Sequence, residues 1–363
     1  MREVDRGVNV PAAKLFKLTV CISTRNRGAF IAATLDSITQ QLTEEVELLV
    51  LDGASTDDTE TILRSYENKY PNLRYIRRNR NEGVDRDYST AVELSSGEYC
   101  WLMTDDDLLR PGALRTVLNA IQRNHSLVIV DAEVRNTDLS KVLKARQLTI
   151  PEDRLYSPAE RDDFFKQVGS HLTFIGCVII KRSLWLERDK EPYFGTLFIH
   201  VGVILQSALP GSAYVIAEPL ISIRYGNAMW RPRDFEIWMV KWPKLIWSFS
   251  GLSDEAKSCV SAFEPWRKLS TLFLFRAKGT YSLATYRTYI HPHIDRALSR
   301  FWPMFIACLP GVLANTVALV YSVTVRRDPP IIFFELQNSR YYLPTWLRQN
   351  KIPSNRTGST FSD

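Results

Sequence analysis

Over its first 131 residues the chain alternates between short apolar runs and segments with helical spacing. Leu18-Thr19-Val20-Cys21-Ile22 is a β-rich run, and Phe30 to Gln40 follows with Phe30, Leu35 and Ile38 at helical spacing. Glu47 to Leu51 is a second strand, closed by Asp52-Gly53. The pattern predicts a helix over Asp57 to Tyr70, with Asp57 placed to N-cap it and Glu60 three residues on. Leu73 to Ile76 is a third strand, and Gly83 precedes a helix over Asp87 to Leu94. Tyr99 to Met103 is a fourth strand, Pro111 opens another helix, and Leu127 to Val130 is a fifth strand. Strands alternating with helices predict an α/β fold with right-handed crossovers and a doubly wound, mostly parallel sheet. Ligands on such sheets bind at the carboxyl ends of the strands. Three runs end there in polar residues: Ser23-Thr24-Arg25, Asp52, and Asp105-Asp106-Asp107.

Beyond Pro151 the pattern is less regular. Thr173 to Lys181 reads as a strand, and Phe198 to Leu209 as an apolar helix or strand. Trp230, Phe235, Trp238, Trp242 and Trp247 cluster, the last four fitting a helical stripe only loosely. Phe301 to Val323 is 23 residues without a charge, flanked by Arg296 and Arg300 before and Arg326 and Arg327 after. That length can cross a bilayer, but Pro303, Pro310, Gly311 and Asn315 interrupt it, so two short helices in the membrane interface or a buried core segment are the alternatives.

The 363 residues are 45% hydrophobic and 24% charged, enough for one large domain or two smaller ones without disulfide staples. The cysteines Cys21, Cys100, Cys177, Cys259 and Cys308 are scattered, with no Cys-x-x-Cys pair, which reads as buried, inert thiols in a reduced compartment. Met1 to Lys14 lacks an apolar core and is not read as a secretory signal, which predicts a cytosolic catalytic part. The net charge is +6, and from Arg296 onward eight basic residues (Arg296, Arg300, Arg326, Arg327, Arg340, Arg348, Lys351, Arg356) face three acids. Basic residues beside an apolar stretch point to an anionic membrane surface; no nucleic-acid-binding signature accompanies them. The last residues, Ser354 to Asp363, are expected to be disordered.

The candidate chemistry sits at the predicted strand ends. Three adjacent carboxylates repel, and a divalent Mg²⁺ or Mn²⁺ can compensate them while leaving positions open for substrate phosphates. The alternative is a solvated acidic loop ahead of the next helix. Asp52 can accept from a nucleobase or ribose, or simply form the turn before Gly53. Ser23, Thr24 and Arg25 suit a nucleotide, or a capped helix start. Gly83 permits a backbone conformation others resist, and Arg86 can reach a diphosphate or lie solvated. The chain has no Gly-x-Gly-x-x-Gly after the first strand, no P-loop and no Gly-x-Ser-x-Gly elbow, which argues against dinucleotide enzymes, P-loop ATPases and α/β-hydrolases.

Val20-Cys21-Ile22-Ser23-Thr24-Arg25-Asn26-Arg27, Asp52-Gly53-Ala54-Ser55-Thr56-Asp57, Asn81-Glu82-Gly83, and Ser96-Gly97-Glu98-Tyr99 leading into Asp105-Asp106-Asp107 resemble glycosyltransferase family 2 over roughly Leu18 to Val130. Thr173-Phe174-Ile175-Gly176, Gly195-Thr196 with Phe198-Ile199-His200, and Tyr225-Gly226-Asn227-Ala228 with Phe235-Glu236-Ile237-Trp238 are similar to its abequosyltransferase-like branch. The resemblance implies the A-type glycosyltransferase fold and inverting transfer from a nucleotide-sugar donor. The acceptor would be polyprenyl-diphosphate-linked or another saccharide, in bacterial O-antigen or surface-polysaccharide synthesis. It implies work at the cytoplasmic face of the inner membrane, peripheral or with one C-terminal segment. Thr24 and Asp52 would contact the base, Arg86 the diphosphate, and Asp105, Asp106 and Asp107 the metal and the ribose or phosphates. The expected organisation is an extension over 1–16, a catalytic domain over 17–230 with halves 17–131 and 132–230, a helical membrane-associating region over 231–350 and a tail over 351–363.

One departure stands out. Where the family carries a Glu-Asp pair before a late helix, this chain reads Ile199-His200. His200 is then a candidate general base, a metal ligand beside Asp105 and Asp107, or a core histidine. Glu187, Asp189 and Glu191 are the fallback bases. Trp230, Arg231 and Arg233 are candidates for the acceptor sugar or its pyrophosphate lipid, with ordinary packing as the alternative. A polysaccharide synthase is disfavoured by the missing Gln-x-x-Arg-Trp motif, and a nucleotidyltransferase by its missing basic first loop. A non-catalytic glycan- or nucleotide-sugar-binding protein on the same fold is the competing class.

Overall fold

The computed structural model describes residues 16–326 and 330–349. The predicted extension over 1–16, save Phe16, the 351–363 tail and the basic positions Arg327, Lys351 and Arg356 lie outside the described residues.

Each predicted strand of the first half forms. These are β1 (Phe16–Thr24), β2 (Val46–Asp52), β3 (Leu73–Arg77), β4 (Gly97–Met103) and, after the two-residue β5 (Leu108–Leu109), β6 (Leu127–Arg135). Between them lie α1 (Gly28–Thr39), α2 (Thr59–Lys69), α3 (Val84–Leu94) and α4 (Ala113–Ile121). Every residue of β2 is buried, as a strand covered on both faces requires, so its apolar run is continuous rather than alternating. Helix α3 starts three residues before its predicted position because Gly83 takes φ 91°, which turns the chain sharply into the helix. Asp57 stands one residue upstream of the N-cap, but its carboxylate still accepts from the Thr59 N–H at 3.1 Å and hydroxyl at 2.6 Å.

The second half supplies β7 (Val142–Lys144), β8 (Arg154–Tyr156), α5 (Arg161–Val168), β9 (Val178–Lys181), α6 (Arg182–Glu187), α7 (Ile199–Leu205) and β10 (Ala213–Arg224). The sheet order is β3-β2-β1-β4-β9-β6-β10-β5, with β7 beside β6 and β8 beside β10. Six strands run in one direction and β9 runs against its neighbours β4 and β6, so the sheet is mixed but mostly parallel. The run Thr173 to Lys181 is strand only over β9, with tight turns before it, and α7 is helix with all seven residues buried.

Helical layers cover the sheet. The helix Asp234–Glu236, a π-helical stretch Ile237–Lys241 and the helix Trp242–Ser248 follow one another. The π stretch slips the side-chain register, which is why the aromatic stripe fits regular spacing poorly. Trp238 and Trp242 close on Phe198 at centroid distances of 5.8 and 4.8 Å. Ile237, Trp242, Leu245, Ile246, Phe249, Leu252 and Ala256 share the core of the sheet's second face, so the chain packs with the first half well past residue 230. Separate apolar clusters form among the later helices.

The uncharged stretch Phe301 to Val323 is two helices, Ala297–Cys308 and Gly311–Tyr321, bent by 92° at Leu309-Pro310. Among the described residues no single helix is long and apolar enough to cross a membrane. Asn315, fully buried, donates to Ala277 O at 3.1 Å and Leu336 O at 2.9 Å, tying the second helix to Leu269–Lys278 and Pro330–Gln337. The cysteines correct the reading that all are buried: Cys21, Cys100 and Cys177 are, while Cys259 and Cys308 are exposed.

Candidate functional site

The carboxyl ends of β1, β2 and β4 lie side by side, with Thr24 paired to Asp52 across the first two strands and Ile22 to Met103 across the first and fourth. The loops leaving β1 and β2 are bound to each other. Asn26, at φ 53°, accepts from Thr56 N–H at 2.7 Å and donates its own N–H to Ser55 Oγ at 2.9 Å. The Arg27 N–H donates to Thr59 Oγ1 at 2.8 Å, and the Gly28 N–H to Asp57 at 3.0 Å. Asp52 belongs to this scaffold. It is fully buried, and it accepts from the Ser55 N–H and hydroxyl at 2.8 and 2.6 Å and from Tyr75 OH at 2.9 Å. Its carboxylate is satisfied internally, which corrects its reading as a base or ribose contact in favour of the turn alternative. Ser23 and Thr24 are buried at the rim and Arg25 is exposed beyond it.

The acidic triplet follows β4 directly and is not a solvated loop. Asp106 and Asp107 are buried, and burial pushes Asp105 up to about 6, with Asp106 raising it further and Arg27 and Thr24 opposing. Burial, and then the neighbouring Asp106, raise Asp107 well above the usual carboxylate range. Arg27 reaches over from the first loop, Nε to Asp105 at 3.1 Å and Nη2 to Asp106 at 2.7 Å. Asn227 donates to Asp106 at 2.8 Å, and the Arg224 N–H to Asp107 at 2.6 Å, while Thr104 donates to Asp107. Among the described residues no three His, Cys, Asp or Glu side chains converge into a ready cation cage.

His200 is not part of this cluster. It lies on α7 with 1% exposure, its Nε2 2.7 Å from Leu172 O, and burial lowers its pKa to about 4. A histidine sealed between Phe198 and the α7 core cannot meet an acceptor or ligate a cation at the rim, so both its catalytic and metal readings are corrected to a core role. The start of α7 is held instead by Asp85, whose carboxylate accepts from the Leu197 and Ile199 N–H groups at 2.9 and 3.3 Å. Arg86, next along α3, lies over the Phe194 ring at 4.0 Å and pairs with the exposed Glu191 at 3.4 Å. Asp189 is also exposed but turns its carboxylate back to the Glu191 N–H at 3.0 Å. Glu187 is exposed at the end of α6.

The segment after β10 borders the triplet. Arg27 Nη1 donates to Asn227 O at 3.2 Å, so residues 225–233 begin at the carboxylates. Trp230 is 41% exposed and packs edge-on against Trp238 at 5.8 Å. Arg231 donates to Gly226 O at 3.3 Å, and Arg233 is engaged by Glu236 at 2.8 and 2.9 Å. The same segment is braced from below. Tyr225 OH donates to Glu335 at 2.6 Å, and the largely covered Lys278 pairs with Glu335 at 3.1 Å and Asp234 at 3.0 Å. Arg27, Arg224, Asn227 and Asp85 were given no role by the sequence reading, although Arg27 closes the first-loop motif and Asn227 lies in the Tyr225-Gly226-Asn227-Ala228 motif.

Asp87 gives a stability test. It is 3% exposed beneath the first turn, and burial pushes it up to about 6 although Arg78 Nε lies 2.7 Å away. Its folded pKa is raised, so its contribution is fully present below the unfolded value and is lost as pH rises through about 6. Urea unfolding at both ends of the window from about pH 4 to 6 should show Asp87→Asn losing about 1–3 kcal/mol less stability than the parent chain. Equal losses would mean that Asp87 ionises alike in both states.

The family model for glycosyl transferase family 2 matches residues 19–186. Abequosyltransferase RfbV of Salmonella typhimurium is 27% identical over 223 residues, covering 58% of this chain and 67% of that protein. GalNAc(5)-diNAcBac-PP-undecaprenol beta-1,3-glucosyltransferase of Campylobacter jejuni is 26% identical over 190 residues, 51% of this chain and 59% of its own length. Among solved structures, S. aureus TarS 1-349 in complex with UDP-GlcNAc aligns over 91% of this chain and 92% of its own, with TM-score 0.51 and 16% identity. Mannosyltransferase PcManGT from Pyrobaculum calidifontis, in complex with GDP-Man and Mn²⁺, aligns over 93% and 89%, with TM-score 0.51 and 14% identity. These likenesses carry the fold, the A-type glycosyltransferase architecture expected from the strand-end motifs. Residues 19–186, which hold both the first-loop motif and the acidic triplet, form a glycosyl transferase family 2 domain, and the chain is a glycosyltransferase.

Proposed function

We propose that the chain transfers a sugar, with inversion, from a nucleotide-sugar donor to a lipid-linked saccharide in bacterial O-antigen or surface-polysaccharide synthesis. The observation that carries this is the buried acidic triplet at the end of β4, on the rim it shares with the first loop. Burying three carboxylates side by side is costly, and a fold retains such a cluster where a ligand uses it. The Campylobacter relative supports the acceptor class by its name, which gives a PP-undecaprenol-linked saccharide.

The donor would lie across the rim, with Ser23, Thr24 and Arg25 at the nucleotide and Arg86 at the diphosphate. Carboxylate oxygens fit Mn²⁺ or Mg²⁺, which need only one or two of them besides substrate phosphates, so the absence of a ready cage is no obstacle. Asp105 and Asp107 would hold that ion, which neutralises charge developing on the leaving diphosphate. The acceptor would approach past residues 225–233, with Trp230 offering an aromatic face to a sugar and Arg231 and Arg233 reaching its pyrophosphate. Of the acids left as general base, Glu191 has the best claim, because it lies beside Arg86 while Asp189 is turned away. Glu191→Gln should lower kcat about 10²-fold with little change in KM, and Asp189→Asn less than about threefold. A Glu191→Gln enzyme with near-parental kcat would put the base elsewhere.

The bent helix pair would lie in the interface of the inner membrane's cytoplasmic face. It turns Leu298 (90% exposed), Phe301, Trp302, Phe305, Leu313, Val317 and Val320 outward, with Arg296 and Arg300 beside them. The decisive assay incubates the purified protein with Mn²⁺, a lipid-linked acceptor and a panel of UDP-, GDP-, CDP- and dTDP-sugars. Release of nucleoside diphosphate from one donor, dependent on acceptor, is expected; no turnover with any of them would leave a non-catalytic binding protein.

A further inference from the structure

Arg27 holds a place that the donor-site reading does not account for. Its guanidinium spends three nitrogens on the site, on Asp105 at 3.1 Å, Asp106 at 2.7 Å and Asn227 O at 3.2 Å, with only 10% of the side chain exposed. Burial alone would lower its pKa, but Asp105 and Asp106 outweigh that and raise it, so the guanidinium is a fixed positive charge. The three carboxylates are therefore not equivalent. Asp105 and Asp106 have a guanidinium counter-ion. Among the described residues Asp107 has only neutral donors, the Thr104 hydroxyl and the Arg224 N–H. The Arg224 guanidinium is turned away, to Asp106 O at 3.0 Å and Thr137 O at 2.9 Å.

A divalent cation arriving at this cluster meets a site already half neutralised. It must either remain at Asp107 or displace Arg27. Displacement strands a buried guanidinium unless another anion receives it, and a stranded buried charge is costly. A diphosphate is such an anion, and its geometry suits the two-pronged donor fork of arginine. A second resting contact already exists, since Arg27 and Arg224 both lie over the Phe30 ring, at 5.4 and 5.3 Å. The Thr24 hydroxyl, buried and without a hydrogen bond of good geometry, sits beside Asp105 and can accept or donate as the charge there changes.

We infer that Arg27 is an exchangeable internal counter-ion. It neutralises Asp105 and Asp106 while the donor is absent, frees Asp105 to join Asp107 on the divalent cation when the donor arrives, and turns its own charge to the donor diphosphate. The inference rests on the donor-site reading above. It makes cation and donor binding mutually dependent, and such coupling is reciprocal: whatever factor the nucleotide adds to cation affinity, the cation adds to nucleotide affinity. The free protein binds the metal weakly because it carries its own cation.

The test measures Mn²⁺ binding by loss of the free-ion EPR signal, on the full chain and on Arg27→Gln, each alone and with UDP, GDP, CDP or dTDP. Without nucleotide, Arg27→Gln should bind Mn²⁺ at least about tenfold more tightly than the parent chain, the lower end of what close, desolvated charge pairs are worth. With the cognate nucleoside diphosphate the parent should gain about tenfold or more, and the two proteins should converge. If Arg27→Gln binds nucleotide-free Mn²⁺ no better than the parent, Arg27 is a permanent part of the scaffold and the exchange is wrong. Should Arg27→Gln fail to fold, the parent alone decides: equal Mn²⁺ affinity with and without its nucleotide overturns the exchange. If no nucleoside diphosphate brings Mn²⁺ to either protein, the donor-site reading itself falls, and the inference with it.

Discussion

Asp107→Asn should cut sugar transfer by about 10³-fold or more while leaving the fold as stable as before, or more stable. The two halves of that result have separate causes. Asparagine keeps an oxygen for the Arg224 N–H, which now lies 2.6 Å from the carboxylate, and can still be met by the Thr104 hydroxyl. Packing and hydrogen bonding are thus conserved. What disappears is a buried charge that the free protein holds at a cost, since burial and Asp106 both push that carboxyl up. The folded chain gains from its loss, whereas the transition state loses the one member of the triplet that carries no counter-ion among the described residues. Melting temperature and single-turnover rate, measured on the same preparation, separate the effects. A variant that keeps more than about a tenth of parental transfer would show that Asp107 does not serve the leaving diphosphate.

The second large effect concerns the surface rather than the site. Phe301, Trp302 and Phe305 form one aromatic group, with Phe301 and Phe305 stacked at 6.0 Å and Trp302 edge-on to Phe305 at 5.9 Å. Each is about half exposed, so each has on the order of 1 kcal/mol of apolar burial still to gain at an interface. Replacing all three with serine should therefore weaken partition onto anionic lipid vesicles by about 10²-fold. Hydrolysis of donor in solution should be unaffected, because the three half-exposed rings pack on one another. Transfer to a membrane-embedded acceptor should fall with the partition. Unchanged vesicle binding would mean that these rings face a protein instead.

The donor half was legible because parallel strands buried on both faces leave continuous apolar runs, and because the polar residues closing β1 and β4 fall on one rim. The same logic overreached at Asp52, where a strand-end carboxylate proved to be the staple of a turn. Strand β10 was missed because Pro219 and two register shifts interrupt it. The contacts of the triplet's partners were unreadable for a different reason, even where a motif held the residue, as it did Asn227. Asn227 is 200 residues from Arg27, and no local pattern announces a contact across that distance. His200 was misread because its spacing matched a functional position while its apolar neighbours, Ile199 and Val201, already described a buried helix face.

The brace beneath residues 225–233 has a consequence for how this chain can be divided. The family-matching segment ends at 186, and the shared core extends through Ala256, so a shortened chain ending there would keep nearly all of the sheet's packing. It would lose Lys278 and Glu335. Asp234 would then be a buried acid without its cation, and Tyr225 would lose the carboxylate that anchors it two residues from Asn227. The later helices are therefore not a detachable anchor hung on a finished enzyme. They are the far abutment of the segment that meets the acidic triplet, and a fragment made without them would have a complete sheet and an unsupported mouth.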